Sequence, residues 1–267
     1  MNILPNIEII DLALYFDSTL VIADVHIGYE EALNKQGVFV PRLQFEDMVK
    51  RMSFIFSQLQ HRRIERIIVN GDLKHEFGTI SGQEWRNTLK FLDLLAAHCK
   101  EIILIKGNHD TILDPIAKKR NVKVEDYVIV QSITDEHINE NPITIKNDKK
   151  TKKQSKVLIV HGNKIPNKEV LKEVSAIIIG HEHPAISIRE GPRVEQFKCF
   201  LKGKYKGKNL VVMPSFNTIV EGTDILKDKI LSPFLKQNLN EFEVYAVEDK
   251  VYEFGKLKNL KFVSTGE

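Results

Sequence analysis

The chain has 267 residues, of which 42% are hydrophobic and 28% charged, a composition that excludes a disordered or fibrous protein and provides for a substantial buried core. Lys and Arg exceed Asp and Glu by 39 to 36, a net charge of +3, so the total charge neither demands nor excludes a polyanionic partner. Two cysteines, Cys99 and Cys199, exclude a disulfide framework, and no apolar run approaches the roughly 20 residues that a membrane-spanning helix needs.

The first hundred residues alternate between strand and helix signals. Residues 7–10 and 12–16 flank Asp11, and the aliphatic, β-branched run 19–23 ends at Asp24-Val25-His26-Ile27-Gly28. Pro41 stands where a helix can begin, followed by Phe45, Met48, Val49, Met52, Ile55, Phe56 and Leu59 at helical spacing. Residues 66–69 form the next expected strand, ending at Asn70-Gly71-Asp72. A second helix is expected over 84–98, and a third strand over 102–105 runs into Lys106-Gly107-Asn108-His109-Asp110. Strands alternating with helices predict βαβ crossovers and a covered, largely parallel or mixed sheet.

Short strands are expected at 122–124 and 127–130, then a polar, lysine-rich loop or hairpin over Asp135–Lys156. Strand signals return at 157–160, which ends at His161-Gly162, and at 176–179, which ends at Gly180-His181-Glu182-His183. Residues 210–213 precede Pro214-Ser215-Phe216-Asn217, and 241–255 reads as a C-terminal hairpin turning at Glu248-Asp249. Neither an internal repeat nor a linker interrupts the chain, so one domain over 1–267 is expected. Met1–Pro5 lacks a basic segment followed by an apolar one, and with two unpaired cysteines a cytoplasmic location without membrane attachment is expected.

Five strand ends therefore carry polar chemistry: Asp24 with His26, Asp72, Asn108 with His109 and Asp110, His161, and His181 with His183. Ligands in open α/β sheets bind at the carboxyl ends of strands, so these groups can converge although they are far apart in the chain. Imidazoles, carboxylates and one amide oxygen, without a thiolate, suit borderline-to-hard divalent ions such as Mn²⁺, Fe²⁺ or Zn²⁺. There are too many donors for one tetrahedral site, and a carboxylate such as Asp72 can bridge two ions.

The order Asp-x-His, Gly-Asp, Gly-Asn-His-Asp, His-Gly and Gly-His-x-His, from Asp24 to His183, resembles the calcineurin-like metallophosphoesterase signature. Ala23-Asp24-Val25-His26-Ile27-Gly28, Gly37-Val38-Phe39-Val40-Pro41, Gly71-Asp72-Leu73-Lys74-His75 and Pro214-Ser215-Phe216-Asn217 further resemble the ICC-like branch that includes DNA-ligase-associated phosphoesterases. The resemblance implies an α/β fold, the four-layer α/β/β/α sandwich. It also implies two divalent ions, Mn²⁺ before Fe²⁺ or Zn²⁺. Asp24, His26 and His183 would hold the first ion, Asp72 would bridge, and Asn108, His161 and His181 would complete the second site. His109, oriented by Asp110, would act on the phosphate, and a metal-activated hydroxide would hydrolyse a phosphodiester. His75 stands where many relatives have a carboxylate or asparagine. It contacts substrate, supports Asp72 or packs locally, and is not counted as a ligand.

The implied partners are phosphoester substrates, with DNA, RNA or nucleotides foremost. Phosphomonoesters or phosphoproteins are the alternative within the enzyme class, and a non-catalytic scaffold of the same fold is the alternative outside it. Lys202-Gly203-Lys204-Tyr205-Lys206-Gly207-Lys208 reads either as a solvated hairpin turn or as a contact for a nucleic-acid backbone.

Overall fold

A computed structural model describes residues 1–78, 80–134 and 153–264. A seven-stranded sheet begins with β1 (Asn2–Leu4), β2 (Ile7–Ile10), β3 (Ala13–Phe16) and β4 (Thr19–Ala23), an antiparallel meander. It continues with β5 (Arg66–Asn70), β6 (Glu101–Ile105) and β7 (Lys123–Glu125), added in sequence order and parallel to β4. α1 (Tyr29–Lys35) and α2 (Gln44–Gln58) join β4 to β5, α3 (Gly82–Ala96) joins β5 to β6, and α4 (Asp114–Arg120) precedes β7.

Two helix starts differ from the sequence expectation, each for a capping reason. α2 begins at Gln44 instead of near Pro41, because the Glu30 carboxylate accepts the Gln44 N–H at 2.9 Å. α3 begins two residues early, because the Ser81 hydroxyl accepts the Glu84 N–H at 3.0 Å.

The second sheet contains β8 (Tyr127–Thr134), β9 (Lys153–Val160), β10 (Ala176–Ile179), β11 (Pro184–Glu190), β12 (Arg193–Tyr205), β13 (Lys208–Val212), β14 (Thr223–Asp224), β15 (Glu243–Val247) and β16 (Val251–Lys256). Its order is β14-β11-β12-β13-β10-β9-β8, with β15 pairing with β12 and β16. α5 (Lys168–Lys172) links β9 to β10, and α6 (Leu257–Ser264) follows β16. Of the polar loop or hairpin expected over 135–156, residues 153–156 are strand paired antiparallel with 131–134, and residues 135–152 lie outside the described residues.

Period-two alternation explains the layering. Val157, Ile159, Ala176, Ile178, Phe200 and Val211 join the core built on the first sheet, whereas Leu158, Val160, Ile177, Ile179, Leu201 and Val212 face the other way. That other face is covered by Leu171 of α5, Phe234, Leu235 and Leu257. The outer face of the first sheet is covered by Met48, Met52, Ile55 and Phe56 of α2 and by Leu89, Phe91, Leu92 and Leu95 of α3. Each such side chain stabilises the fold by roughly 1.5–3 kcal/mol when fully buried. Two stacked sheets between helical layers set the carboxyl ends of β4, β5, β6, β9 and β10 around one point.

Candidate metal centre

The strand ends of the first sheet continue as paired backbone. Beyond β4 and β5, the Asp24 N–H donates to the Gly71 carbonyl at 3.3 Å, His26 N–H to Asp72 at 2.9 Å and Ile27 N–H to Leu73 at 3.0 Å. Asp24, His26 and Asp72 all adopt positive φ, at 53°, 49° and 42°. After β10 the same occurs at His181 and His183, at 66° and 49°. A non-glycine residue in this region costs roughly 1 kcal/mol or more, and five of the expected ligands adopt it here. The kink it imposes turns both members of each x-His pair to the same side.

These turns bring every expected metal-binding residue together. Asp24 Oδ1 lies 3.5 Å from His183 Nε2 and 3.4 Å from His161 Nδ1. Asp72 Oδ2 lies 3.4 Å from His161 Nε2 and 3.8 Å from His26 Nε2. His26 and His183 approach at 3.4 Å through their Nε2 atoms, and Asn108 Oδ1 lies 3.0 Å from His161 Nε2. Donor atoms of Asp24, His26 and His183 fall within 4.8 Å of one another, as do those of Asp72, His161 and His181. Asp72 borders both groups.

The donors fit a pair of divalent ions. Asp24 Oδ1 and His161 Nδ1 are buried without a hydrogen-bond partner, a costly state for polar atoms unless a cation meets them. The surroundings allow no filling by carbon: a Cβ at Gly107 would overlap Asp72 Oδ1, and one at Gly180 would overlap Asp24 Oδ2.

Charge is arranged accordingly. Burial opposes ionisation of Asp72, but the His161 hydrogen bond and charge outweigh it and hold the carboxyl well below the usual range. Burial likewise opposes ionisation of Asp24, and His183 outweighs it. Burial disfavours a charged His161 too, yet Asp72 and Asp24 push it up to about 9. His26 is pushed down to about 3 by burial and the charge of His183, and His181 to about 4 by burial and the charge of His161. The cluster thus keeps two buried carboxylates ionised beside neutral His26 and His181, the states a cation requires of its ligands, whereas His161 holds a proton between the two carboxylates that a cation would displace.

His109 extends beside this cluster, its ring centroid 4.9 Å from that of His26. The expected partner of His109 is corrected. His109 Nδ1 meets the His75 carbonyl oxygen at 2.6 Å, which leaves Nε2 as the free ring nitrogen. The buried Asp110 carboxylate instead accepts the N–H groups of Gly107 at 3.1 Å, Leu73 at 3.3 Å and Lys74 at 3.4 Å. A carboxylate two bonds from the chain, set in a turn, is captured by the nearest unpaired amides before it can reach the neighbouring ring. Burial, then the charge of Asp72, pushes Asp110 up to about 6. Asp110 therefore ties the turn after β6 to the turn after β5.

His75 neither supports Asp72 nor stands apart. Its Nδ1 lies 3.4 Å from His26 Nδ1, and its ring packs against Tyr29 at 4.4 Å. Burial and the charge of His109 push His75 down to about 4, so it presents a neutral ring to His26. If His26 Nε2 faces a metal, its Nδ1 must carry the proton, and His75 Nδ1 is the acceptor in reach.

Of the other contributing residues, Gln44 and Glu84 carried no readable signal, and Lys74, Phe216 and Asn217 stood in motifs without an assigned role. Lys74 is fully buried, and its ammonium donates to the carbonyls of Glu76 and of His109, the latter at 2.7 Å. Glu84 accepts the N–H groups of His75 at 2.9 Å and Glu76 at 3.0 Å. Gln44 donates to the His26 carbonyl at 2.8 Å and to Asn217 Oδ1 at 3.4 Å. Phe216 and Asn217 donate their N–H groups to Ala23 and Asp24 at 2.7 and 3.2 Å, which explains the 214–217 motif. A lysine on a loop or a glutamate in a helix's first turn reads as solvated; only the packed structure shows these buried.

A profile of the calcineurin-like phosphoesterase family matches residues 18–186. No curated protein sequence matches the chain. Among solved structures, the nuclease MPE from Pseudomonas putida aligns at 17% identity over 92% of this chain and 93% of that one, with a TM-score of 0.56. YfcE, a phosphoesterase from E. coli, aligns at 12% identity over 85% and 86% of the two chains, with a TM-score of 0.37. Vacuolar protein sorting 29 from Cryptosporidium parvum aligns at 16% identity over 89% and 97%, with a TM-score of 0.36. Profile, two-sheet fold and converging histidine and aspartate groups agree: the chain belongs to the calcineurin-like phosphoesterase family.

Proposed function

We propose that this chain is a two-metal-ion phosphodiesterase acting on nucleic acid. The observation that carries the reading is the pair of donor groups, Asp24/His26/His183 and Asp72/His161/His181, sharing the border residue Asp72 beside the free nitrogen of His109. Both sheets contribute donors, so the reading treats 1–267 as one catalytic domain. Two divalent cations, Mn²⁺ first for this nitrogen and oxygen donor set, supply Lewis acidity for the phosphoryl oxygens and the attacking water. Asn108 completes the second donor group through its amide oxygen. His109, held by the His75 carbonyl at Nδ1, hands a proton from Nε2 to the leaving oxygen. Asp110 does not touch that ring and acts by fixing the turn. Nucleic acid is favoured over other diesters because the MPE nuclease shares the fold across nearly its whole length. Free Cys99 and Cys199 suit a reducing cytoplasm, and among the described residues no helix is long and apolar enough to cross a membrane.

The test is turnover of bis(4-nitrophenyl) phosphate, 4-nitrophenyl phosphate and a labelled oligonucleotide by Mn²⁺-reconstituted protein. Diester and oligonucleotide cleavage above monoester cleavage is expected, with both lost in Asp72→Asn. Monoester cleavage alone, or no turnover with two bound Mn²⁺ per chain, overturns the reading.

A further inference from the structure

The lysine-rich stretch 202–208 takes no part in the metal centre, yet the fold gives it partners. β12 and β13 are joined by Lys206-Gly207, both at positive φ, 48° and 80°, the two-residue hairpin turn that matches strand twist. Asn or Gly is the inexpensive residue at the first of these positions, and the chain holds a lysine there. The turn brings Lys206 and Lys208 beside Lys168 and Lys172 of α5, which lie one helical turn apart on the same face. These four lysines rim a cavity of about 400 Å³ floored by Leu171 and Tyr205. Among the described residues no carboxylate lines it. Glu173, the acid nearest in sequence to Lys172, is turned away to Lys156 at 3.1 Å. Lys206 lies over the Tyr205 ring at 5.2 Å, and Lys208 donates to the Val174 carbonyl at 2.5 Å. Cations gathered without counter-charge repel one another, and a bound anion relieves that repulsion.

The position of α5 connects this cavity to the candidate centre. The other side of α5, through Asn167 and Val170, borders a cleft of about 540 Å³. That cleft ends at Gly107, Asp110 and His161, and its walls carry Lys106 and Lys164 together with Asp114 and Asp126. α5, about 7.5 Å long, stands between that cleft and the four lysines. The apolar floor suits the face of an unpaired base, which a duplex would keep inside its stack.

We propose that Lys168, Lys172, Lys206 and Lys208 form an accessory site for the backbone of a nucleic-acid strand with exposed bases, whose scissile phosphate lies at the metal cluster. This rests on the phosphodiesterase reading. It adds that the enzyme grips a polymer at a distance from the bond it cuts. Small diesters, too short to reach across α5, gain nothing from the site.

The experiment uses the full chain, with Lys168→Ala/Lys172→Ala/Lys206→Ala compared with the triple arginine variant; Lys208 is spared because it bonds Val174. Binding of a fluorescein-labelled oligo(dT) 20-mer is followed by anisotropy in chelator, without turnover, across a salt series. The alanine variant is expected to bind at least tenfold more weakly and to lower the slope of log Kd against log salt by about 2, from three lost phosphate contacts. The arginine variant should bind as the wild type does. Mn²⁺-dependent turnover of bis(4-nitrophenyl) phosphate should be unchanged in both, which also shows that they fold. An unchanged affinity and slope in the alanine variant overturns the accessory site, as does equal displacement of the oligonucleotide by polyglutamate. Turnover of the chromogenic diester by wild-type protein tests the phosphodiesterase reading separately. An enzyme active on it but indifferent to the alanine changes would lose only the accessory site.

Discussion

The two halves of the candidate centre are held by different means. On the first sheet, buried side chains lock the loops: Lys74 binds the backbone of 76 and 109, Asp110 binds that of 73, 74 and 107, and Glu84 binds that of 75 and 76. On the second sheet, the locks tie the histidine turns to the distant segment after β13, through backbone groups and side chains alike. The Thr223 N–H holds the His183 carbonyl at 2.8 Å, and the Ser232 hydroxyl holds the Gly162 carbonyl at 2.8 Å. Glu182, buried between the two histidines, accepts the Ser232 N–H at 2.7 Å. The first half is therefore vulnerable to removal of a polar side chain. The second is vulnerable to displacement of a distant loop.

The largest expected effect falls on the first half. His109→Ala should lower kcat for an oligonucleotide by roughly 10²–10⁴-fold. The loss should shrink for bis(4-nitrophenyl) phosphate, whose leaving group hardly needs a proton. Equal losses on both substrates would show that His109 binds phosphate without donating a proton.

Gly222→Ala probes the second half. Gly222 sits at φ 124°, and an added Cβ would overlap the His183 carbonyl oxygen. The substitution should weaken one of the two Mn²⁺ sites by about 10–100-fold, the usual effect of disturbing a ligand's support. Isothermal titration should resolve one retained and one weakened site. Lys74→Met supplies the contrast. It leaves two partly buried carbonyls unpaired, costs roughly 1–3 kcal/mol of stability by denaturant unfolding, and keeps both metal sites. If Lys74→Met empties a metal site while Gly222→Ala does not, the division of labour drawn here is reversed.

The smallest effect concerns Lys198 of β12, whose amine donates to Ser215 Oγ at 2.8 Å and to the Val220 carbonyl at 2.6 Å, bracing the late loop. Burial, then the charge of Arg51, pushes this lysine down to about 7. A lysine lowered from 10.5 to about 7 binds fewer protons folded than unfolded between those values, so stability rises with pH across that window. Below about pH 7 both states are protonated and the charged amine stays buried at a cost. Lys198→Met should flatten the rise in Tm between pH 7.5 and 9.5 by a few degrees; an undiminished rise would assign it to other groups.

Much of the first sheet was legible. Aliphatic runs closed by Gly71 and Gly107 announced strand ends, and helical spacing announced α2 and α3. The long hairpin of β11 and β12 was not, because residues 184–205 mix charge and apolar character without a clean period. Residues 135–152 remain outside the description. At the site, the expected metal-binding residues were readable from type and order, since few residue types suit a divalent cation and each closes a strand. The role first expected for Asp110 shows where such reading stops. The chain places it next to His109, but amides from another loop compete for its oxygens.

By itself, then, the sequence determined the donor inventory, the strand that ends at each donor, and the family. Those follow from local chemistry: residue type, apolar run and turn. The resemblance already implied which donors group with Asp24 and which with Asp72; the tertiary structure alone decided that Lys74 and Glu84 are buried supports, that His75 faces His26, and that Lys206 and Lys208 meet Lys168 and Lys172 of α5. Those depend on contacts between residues far apart in the chain, whose energies exist only once the two sheets have packed.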